Sequence, residues 1–137
     1  MTSSTAAAGS PAQKMIVYSP GPIRDVSQLV SLGPPEGLGG KVLEGKPEIF
    51  ARVDFSANGM TAGLFMSTRG RIEVTFPFTE HATILEGEVT ITDQTGQKHT
   101  YRPGDTYFMK QGSVVIWDVT GERVIKSFFN IVEGPAK

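Results

Sequence analysis

A period of two in the apolar residues is the feature that most restricts the fold of this chain. In residues 48–55 (EIFARVDF) every second side chain is apolar, whereas Arg52 and Asp54 mark the opposite face. This alternation is typical of a strand with one buried face. Eight more short segments are predicted strands: 61–67, 71–76, 81–85, 88–92, 99–102, 106–109, 114–119 and 123–132. So many short strands without a long helix predict an all-β sandwich or barrel.

Turn-forming residues separate these strands. The chain has 16 Gly and 9 Pro, and both residues interrupt regular structure. In residues 102–105 (RPGD), Pro103 fixes φ at the second position and Gly104 supplies a positive φ at the third, as a type II turn requires. Breaks are also predicted at 69–70 and 120–122, where they would end two of the strands.

Length and local composition predict the domain organisation. A chain of 137 residues is one domain by the usual range of lengths. Residues 2–13 are only Ser, Thr, Ala, Gly, Pro and Gln, so we expect residues 1–14 to form a flexible tail. Residues 15–47 are predicted to be a loop-rich arm, with a short strand at 15–18 and one or two helical turns within 23–32. The barrel is predicted to occupy residues 48–137.

Composition excludes several classes of function. The 13 basic and 14 acidic side chains give a net charge of -1, so we expect neither nucleic acid nor an anionic membrane as a partner. The absence of Cys excludes disulfides, thiolate nucleophiles and Cys-ligated zinc, and 2 His cannot form a three-His site in one subunit. Without an apolar run of about 20 residues or a signal-peptide pattern, the chain is expected to be a soluble cytoplasmic protein.

Two segments resemble the conserved motifs of the cupins. Residues 80–93 (EHATILEGEVTITD) are similar to the first motif and residues 101–112 (YRPGDTYFMKQG) to the second, in the same order and at a similar separation. The residues around Trp117 narrow the resemblance to small single-domain cupins related to the ethanolamine-utilisation cupin and the ureidoglycine aminohydrolase group. The resemblance covers residues 48–132 and implies an RmlC-like jelly-roll β-barrel with a site at its wide mouth.

The resemblance also implies where a metal ion would bind. Metal-dependent cupins use two His and one Glu from the first motif and one His from the second; by the resemblance, the Glu falls on Glu80 and the last His on Val115. The two other His positions fall on Val74 and Phe76, or, with a different loop length, on Glu73 and Thr75. Since transition-metal sites need three or four converging ligands, we expect no metal cofactor. A divalent metal held by Glu73 and Glu80 is the alternative.

Glu80 and Lys126 are the candidate catalytic residues. By the resemblance Glu80 faces the barrel interior, where a partly desolvated carboxylate suits acid–base catalysis or the binding of an amine. A structural ion pair with Arg71 or Lys126 is equally compatible with the sequence. His81 would point away from the interior, since adjacent strand residues face opposite sides. Lys126 lies in an otherwise apolar strand and must reach the surface or pair with a carboxylate.

Four further residues are candidate ligand-binding groups: Trp117, Arg71, Glu73 and Thr75. Trp117 is the single tryptophan, and it is either a core residue or, by the resemblance, a wall of the pocket. The other three share one face of their strand. That face is solvated unless it turns into the barrel, where Arg71 would bind a substrate carboxylate.

These residues predict a cupin-fold protein that binds or acts on a small polar metabolite in the barrel, without a three-His metal site. As an enzyme it would catalyse hydrolysis, isomerisation or elimination, with Glu80 as acid or base and Lys126 or Arg71 holding an anion. A non-catalytic small-molecule-binding accessory protein and a metal-dependent hydrolase, isomerase or lyase are the alternatives. Apolar residues on both faces of strand 123–132 predict a homodimer.

Overall fold

The computed structural model describes residues 13–21 and 26–134 of the chain. Apart from two 3-10 helical turns, Val26–Gln28 and Pro35–Leu38, every regular element in these residues is a β-strand, which confirms the all-β prediction. The strands are β1 Val30–Gly33, β2 Lys41–Gly45, β3 Ile49–Ala57, β4 Met60–Thr75, β5 Thr79–Glu86, β6 Val89–Asp93, β7 Lys98–Tyr101, β8 Thr106–Met109 and β9 Val114–Ile131. Neither of the described helical turns is long and apolar enough to cross a membrane.

β4 and β9 are the two long strands around which the antiparallel sheet is built. They pair with each other along their whole length, from Met60 opposite Ile131 to Thr75 opposite Val114. The first half of β4 also pairs with β3 and its second half with β2. In the same way, β9 pairs first with β6 and then with β5. Long strands that exchange neighbours halfway allow one sheet to fold over on itself, as in a jelly-roll barrel.

Both long strands run through a predicted break. The turns expected at 69–70 and 120–122 do not end strands, because β4 and β9 continue through them, so these two predictions are wrong. Instead, the register of the β4–β9 pair shifts between Thr68 and Gly70. A Cβ atom at Gly70 would lie 2.6 Å from the Pro47 ring, so glycine permits this close approach. The turn-forming residues therefore produce an irregularity within the sheet.

This irregularity changes which side chains of the long strands point into the barrel. On β4, Phe65 packs against the inner core before the register shift and Ile72 belongs to that core after it. On β9, Trp117 and Val124 both belong to the inner core. In each strand the inward-pointing residues change from odd-numbered to even-numbered positions. A strand that alternates its faces without interruption could not make this change.

Two separate hydrophobic clusters lie on opposite faces of the long strands. The inner cluster, inside the barrel, includes Ile72, Trp117 and Val124. The outer cluster consists of Leu29, Leu64, Met66, Leu85 and Ile125, with Tyr18, Val26 and Phe50 packed against it. Residues that precede β1 thus close the outer face of the sheet.

Hydrogen bonds fix this N-terminal arm to the sheet. The Tyr18 hydroxyl donates to Asp54 Oδ2 at 2.6 Å, and the Gly21 amide donates to the Leu85 carbonyl at 2.7 Å. Asp54 is held in turn by Arg52, whose Nε lies 2.8 Å from Asp54 Oδ1. The arm is therefore anchored by both apolar and polar contacts.

The arm differs in detail from the sequence prediction. The strand expected at 15–18 is not formed. A helical turn is present within 23–32 as expected, and it is a 3-10 turn at Val26–Gln28. β1 and β2 were not predicted, yet they pair with β3 and β4. Residues 1–12 of the expected tail, and residues 22–25, lie outside the described residues.

Candidate ligand-binding cavity

The barrel contains a cavity of about 410 Å³. Strands β3, β4 and β9 supply most of its wall. Leu32 of β1 and the segment 34–40 between β1 and β2 lie along one side. The polar lining side chains are few: Thr61, Glu80, Lys126 and Asn130. A concave, mostly apolar cavity of this size with a few converging polar groups is the usual form of a small-molecule site.

Aromatic rings surround the Lys126 ammonium group. Phe65 and Trp117 meet edge to face, with their ring centroids 5.9 Å apart. The Lys126 Nζ lies 4.4 Å from the centroid of Phe65 and 4.7 Å from that of Trp117. Because the faces of aromatic rings carry partial negative charge, these contacts stabilise the ammonium where water is largely excluded.

Glu80 and Lys126 form an ion pair in the cavity wall. The Lys126 Nζ lies 2.7 Å from Glu80 Oε2, and the two side chains are only 5% and 3% exposed. Glu80 lies on β5 and Lys126 on β9, two strands that pair directly. The pair that the sequence allowed is therefore present, and each buried charge has an opposite charge beside it.

Tyr107 joins this pair in a three-residue polar cluster. Its hydroxyl donates a hydrogen bond to Glu80 and accepts one from Lys126 Nζ at 2.5 Å. Burial, reinforced by the Glu80 carboxylate, raises the pKa of Tyr107 well above its usual value. Burial also lowers the pKa of Lys126, although Glu80 opposes this shift. The remaining carboxylate oxygen, Glu80 Oε1, lies 3.5 Å from Asn130 Nδ2, which is too long for a strong hydrogen bond.

Three of the residues singled out from the sequence line the same cavity: Glu80, Lys126 and Trp117. Trp117 is 3% exposed, and its Nε1 has no hydrogen-bond partner among the described residues. His81 is exposed on the outer face, next to the buried Glu80, as the alternation of β5 requires.

The other three, Arg71, Glu73 and Thr75, do not line the cavity, so their assignment to the ligand site is corrected. The register shift at Thr68–Gly70 turns the even-numbered side chains of this part of β4 inward. Ile72 and Val74, and Phe76 directly after β4, therefore line the cavity. Arg71 is exposed instead, and its Nη2 lies 2.8 Å from Glu44 Oε1.

The residues at the metal-ligand positions of the resemblance do not fit a metal ion. Val74, Phe76 and Val115 offer no donor atoms, and Glu80 is already paired with Lys126 and Tyr107. Glu73 is on the opposite face of its strand and cannot converge with Glu80. In the part of the chain that the structure describes, no three His, Cys, Asp or Glu side chains are grouped to hold a metal.

Sequence reasoning missed Tyr107 and Asn130. Tyr107 alternates with Thr106 and Phe108 on β8, with burial in the order exposed, buried, exposed, but this pattern predicts a core residue and gives no hint of the contact with Glu80. Asn130 is 6% exposed at the end of an apolar strand. A buried amide in such a strand is the signal that could have marked it.

A model of the EutQ-like cupin domain matches residues 56–128, more than half of the chain. No curated protein matches. Among solved structures, the EutQ protein of Clostridium difficile is 15% identical, over 63% of this chain and 69% of its own, with a TM-score of 0.56. A cupin superfamily protein from Desulfitobacterium hafniense DCB-2 is 16% identical, over 62% of this chain and 78% of its own, with a TM-score of 0.54.

A third structure is similar over a longer part of this chain. It is a protein of unknown function from Pseudomonas syringae pv. tomato str. DC3000, 24% identical over 74% of this chain but 43% of its own, with a TM-score of 0.65. At these identities the solved structures support the jelly-roll fold, and the properties of the site depend on this chain's own residues.

Proposed function

Because this chain belongs to the EutQ-like cupin family, we propose that it binds a small molecule in the cavity of its jelly-roll barrel. The observation that carries the proposal is the cavity of about 410 Å³ with the Glu80–Lys126 pair in its wall. A fold that needed only stability would fill this space with side chains, because close packing stabilises the interior. The sequence predicted a polar metabolite, but the mostly apolar wall favours a ligand with a larger apolar part.

A second candidate function, acid–base catalysis without a metal, is favoured by the cluster of Glu80, Tyr107 and Lys126. A buried carboxylate, phenol and ammonium in contact can exchange a proton with a ligand that reaches them. Mass spectrometry of the ligand after incubation distinguishes the two functions. A binding protein returns the ligand unchanged, whereas an enzyme converts it.

The fluorescence of Trp117 tests the proposed site directly. It is the single tryptophan of the chain and lines the cavity, so a ligand that enters should change its emission. We expect Glu80→Gln, which keeps the volume and removes the charge, to change the affinity of a bound compound by about tenfold, or ~1.4 kcal/mol.

Glu44→Gln is the matched control, since Glu44 is 71% exposed and pairs with Arg71 on the outer face. It should leave the affinity unchanged. Equal affinities in the wild type and in Glu80→Gln would contradict the placement of the site at Glu80.

We also propose that two copies associate through the outer face of β5, β8 and β9. His81 pairs with Phe108 on one side and Phe129 on the other, and these two rings are 64% and 44% exposed. Exposed aromatic residues in one row favour a protein interface.

Sedimentation should therefore detect a homodimer at micromolar concentration, and Phe129→Ser should shift it to monomer. Leu43→Ser, on β2 away from this row, removes a side chain of similar exposure, 42%, and should leave the dimer intact. A wild-type monomer at micromolar concentration would refute this part of the proposal.

A further inference from the structure

We propose that the cavity selects uncharged, largely apolar molecules that carry one hydrogen-bonding group, and that the Glu80–Lys126 pair sets this selection. The inference rests on the proposed function, because it names the class of ligand for the same cavity. Among the described residues that line the cavity, the charged ones are Glu80 and Lys126, and they lie 2.7 Å apart. The formal charge of the lining is therefore zero.

The described residues of this wall offer no free counter-charge to a charged ligand. The ammonium of Lys126 already contacts Glu80, the Tyr107 hydroxyl at 2.5 Å and the faces of two rings. An anion that approached Lys126 would meet the Glu80 carboxylate, and a cation that approached Glu80 would meet the ammonium. Burying a charge without a partner is costly, so both kinds of ion are disfavoured relative to a neutral molecule.

One polar group of a ligand can still be bound. Glu80 Oε1 and Asn130 Nδ2 are 3.5 Å apart, and both residues are buried, at 2% and 6% exposure. A hydroxyl or amide group could donate to the carboxylate oxygen and accept from the amide nitrogen of Asn130, and thus satisfy both. The ligand's polar group is therefore an alcohol or an amide, which both donates and accepts.

The remaining wall fits a hydrocarbon body. The rings of Phe65, Phe76 and Trp117 face this part of the cavity, and Val74 and Phe128 extend the apolar surface. Aromatic walls of this kind bind rings and branched carbon chains through their large contact area.

Three compounds with the same ring test the inference: benzyl alcohol, benzoate and benzylammonium. Titration against the wild type, followed by Trp117 fluorescence and calorimetry, should give benzyl alcohol a dissociation constant at least about tenfold below those of both ions. Equal or tighter binding of benzoate or benzylammonium overturns the inference but leaves the proposed function standing. If none of the three binds, the proposed function itself fails.

Breaking the pair should change the preference in opposite directions. Glu80→Gln leaves the Lys126 ammonium unpaired and should favour benzoate, whereas Lys126→Met leaves the Glu80 carboxylate unpaired and should favour benzylammonium. The double variant restores a neutral wall and should again prefer benzyl alcohol. Arg71→Gln also removes one charge, but on the outer face, and should not change the preference.

The same order of preference in the wild type and in both single variants would show that the pair does not set selectivity and would overturn the inference. If a single variant does not fold, the inference is still tested by the titration of the three compounds against the wild type and against the double variant.

Discussion

The two faces of β4 and β9 differ in what they bury. On the outer face, Leu64 and Ile125 pack into a closed aliphatic cluster beneath the N-terminal arm. On the inner face of the same strands, Phe65 and Lys126 border a cavity of about 410 Å³. Adjacent residues thus serve opposite roles: Ile125 is completely buried among apolar side chains, and Lys126 carries a buried charge.

The comparison indicates how a small barrel can combine stability with a binding site. Burial of apolar surface stabilises the fold, and both clusters contribute to it. The outer cluster does so without bordering the cavity. The inner face can then keep empty space and an ion pair, which on their own stabilise little or nothing. The difference predicts that equal changes on the two faces have unequal effects.

The largest effect is expected from breaking the buried pair on the inner face. Lys126→Met leaves the Glu80 carboxylate buried without its counter-charge and should lower the free energy of unfolding by about 3–5 kcal/mol. The double variant Lys126→Met/Glu80→Gln removes both charges and should recover most of this loss. Urea unfolding followed by circular dichroism measures both.

A pair on the outer face provides the control for this prediction. Arg71 and Glu44 are 44% and 71% exposed, so Arg71→Met should cost no more than about 1 kcal/mol. Similar losses in Arg71→Met and Lys126→Met would show that burial of the inner pair does not matter energetically.

A matched truncation compares the packing of the two faces. Ile125, on the outer face, is fully enclosed, so Ile125→Ala should create a void and cost about 3–5 kcal/mol. Ile72 borders the existing cavity, so Ile72→Ala should enlarge it and cost about 2 kcal/mol. Urea unfolding gives the two losses, and ligand titration should detect a change only in Ile72→Ala. The reverse order of stability would contradict the assignment of the faces.

The sequence predicted the fold more completely than the site. Alternation and turn residues specified most strands. The predicted type II turn at 102–105 is also present, with Gly104 at φ 96° and the Asp105 amide 2.8 Å from the Arg102 carbonyl. Local pattern, however, cannot show a register shift inside a paired strand. For that reason the sequence left open which face of residues 71–76 turns into the barrel, and Arg71 stayed among the candidate ligand-binding residues.

Long-range contacts explain what else the sequence could not supply. A pair of Glu80 with Lys126 or Arg71 was one interpretation of the sequence, because a buried charge needs a partner, and the structure has the pair with Lys126. The sequence pattern around Tyr107 is explained by an ordinary aromatic core residue. Nothing in the neighbouring sequence indicates that its hydroxyl contacts Glu80. The arm was expected to be rich in loops, with one short strand and one or two helical turns. Its local pattern could not show that it covers the outer face of the sheet.

A smaller effect, which depends on pH, tests the anchor of the arm on the outer face. Burial and the hydrogen bond to Asp54 raise the pKa of Tyr18 to about 12, whereas the unfolded phenol has a pKa of about 10. The folded state therefore binds this proton more tightly. The resulting stability is present below about pH 10 and is lost as the pH rises to about 12.

Tyr18→Phe lacks this contribution and should be about 1 kcal/mol less stable than the wild type at neutral pH. The difference should shrink between about pH 10 and 12, because only the wild type loses the Tyr18 proton there. Tyr107 is present in both proteins and cancels in the difference. Urea unfolding at several pH values measures the effect, and a constant difference up to about pH 12 would show that the Tyr18–Asp54 bond does not fix the arm.

The smallest effect is expected at Trp117 on the inner face. Its indole Nε1 is buried without a hydrogen-bond partner among the described residues, and such a donor costs about 1–3 kcal/mol. Trp117→Phe removes this cost along with part of the ring's packing, so the two changes should nearly cancel and leave a net loss of about 1 kcal/mol or less.

Tyr107→Phe is the comparison, because it removes a hydroxyl that contacts both Glu80 and Lys126 and should cost about 2–3 kcal/mol. Urea unfolding followed by circular dichroism ranks the two variants, and a larger loss in Trp117→Phe would show that the indole, more than the polar cluster, holds the inner face together.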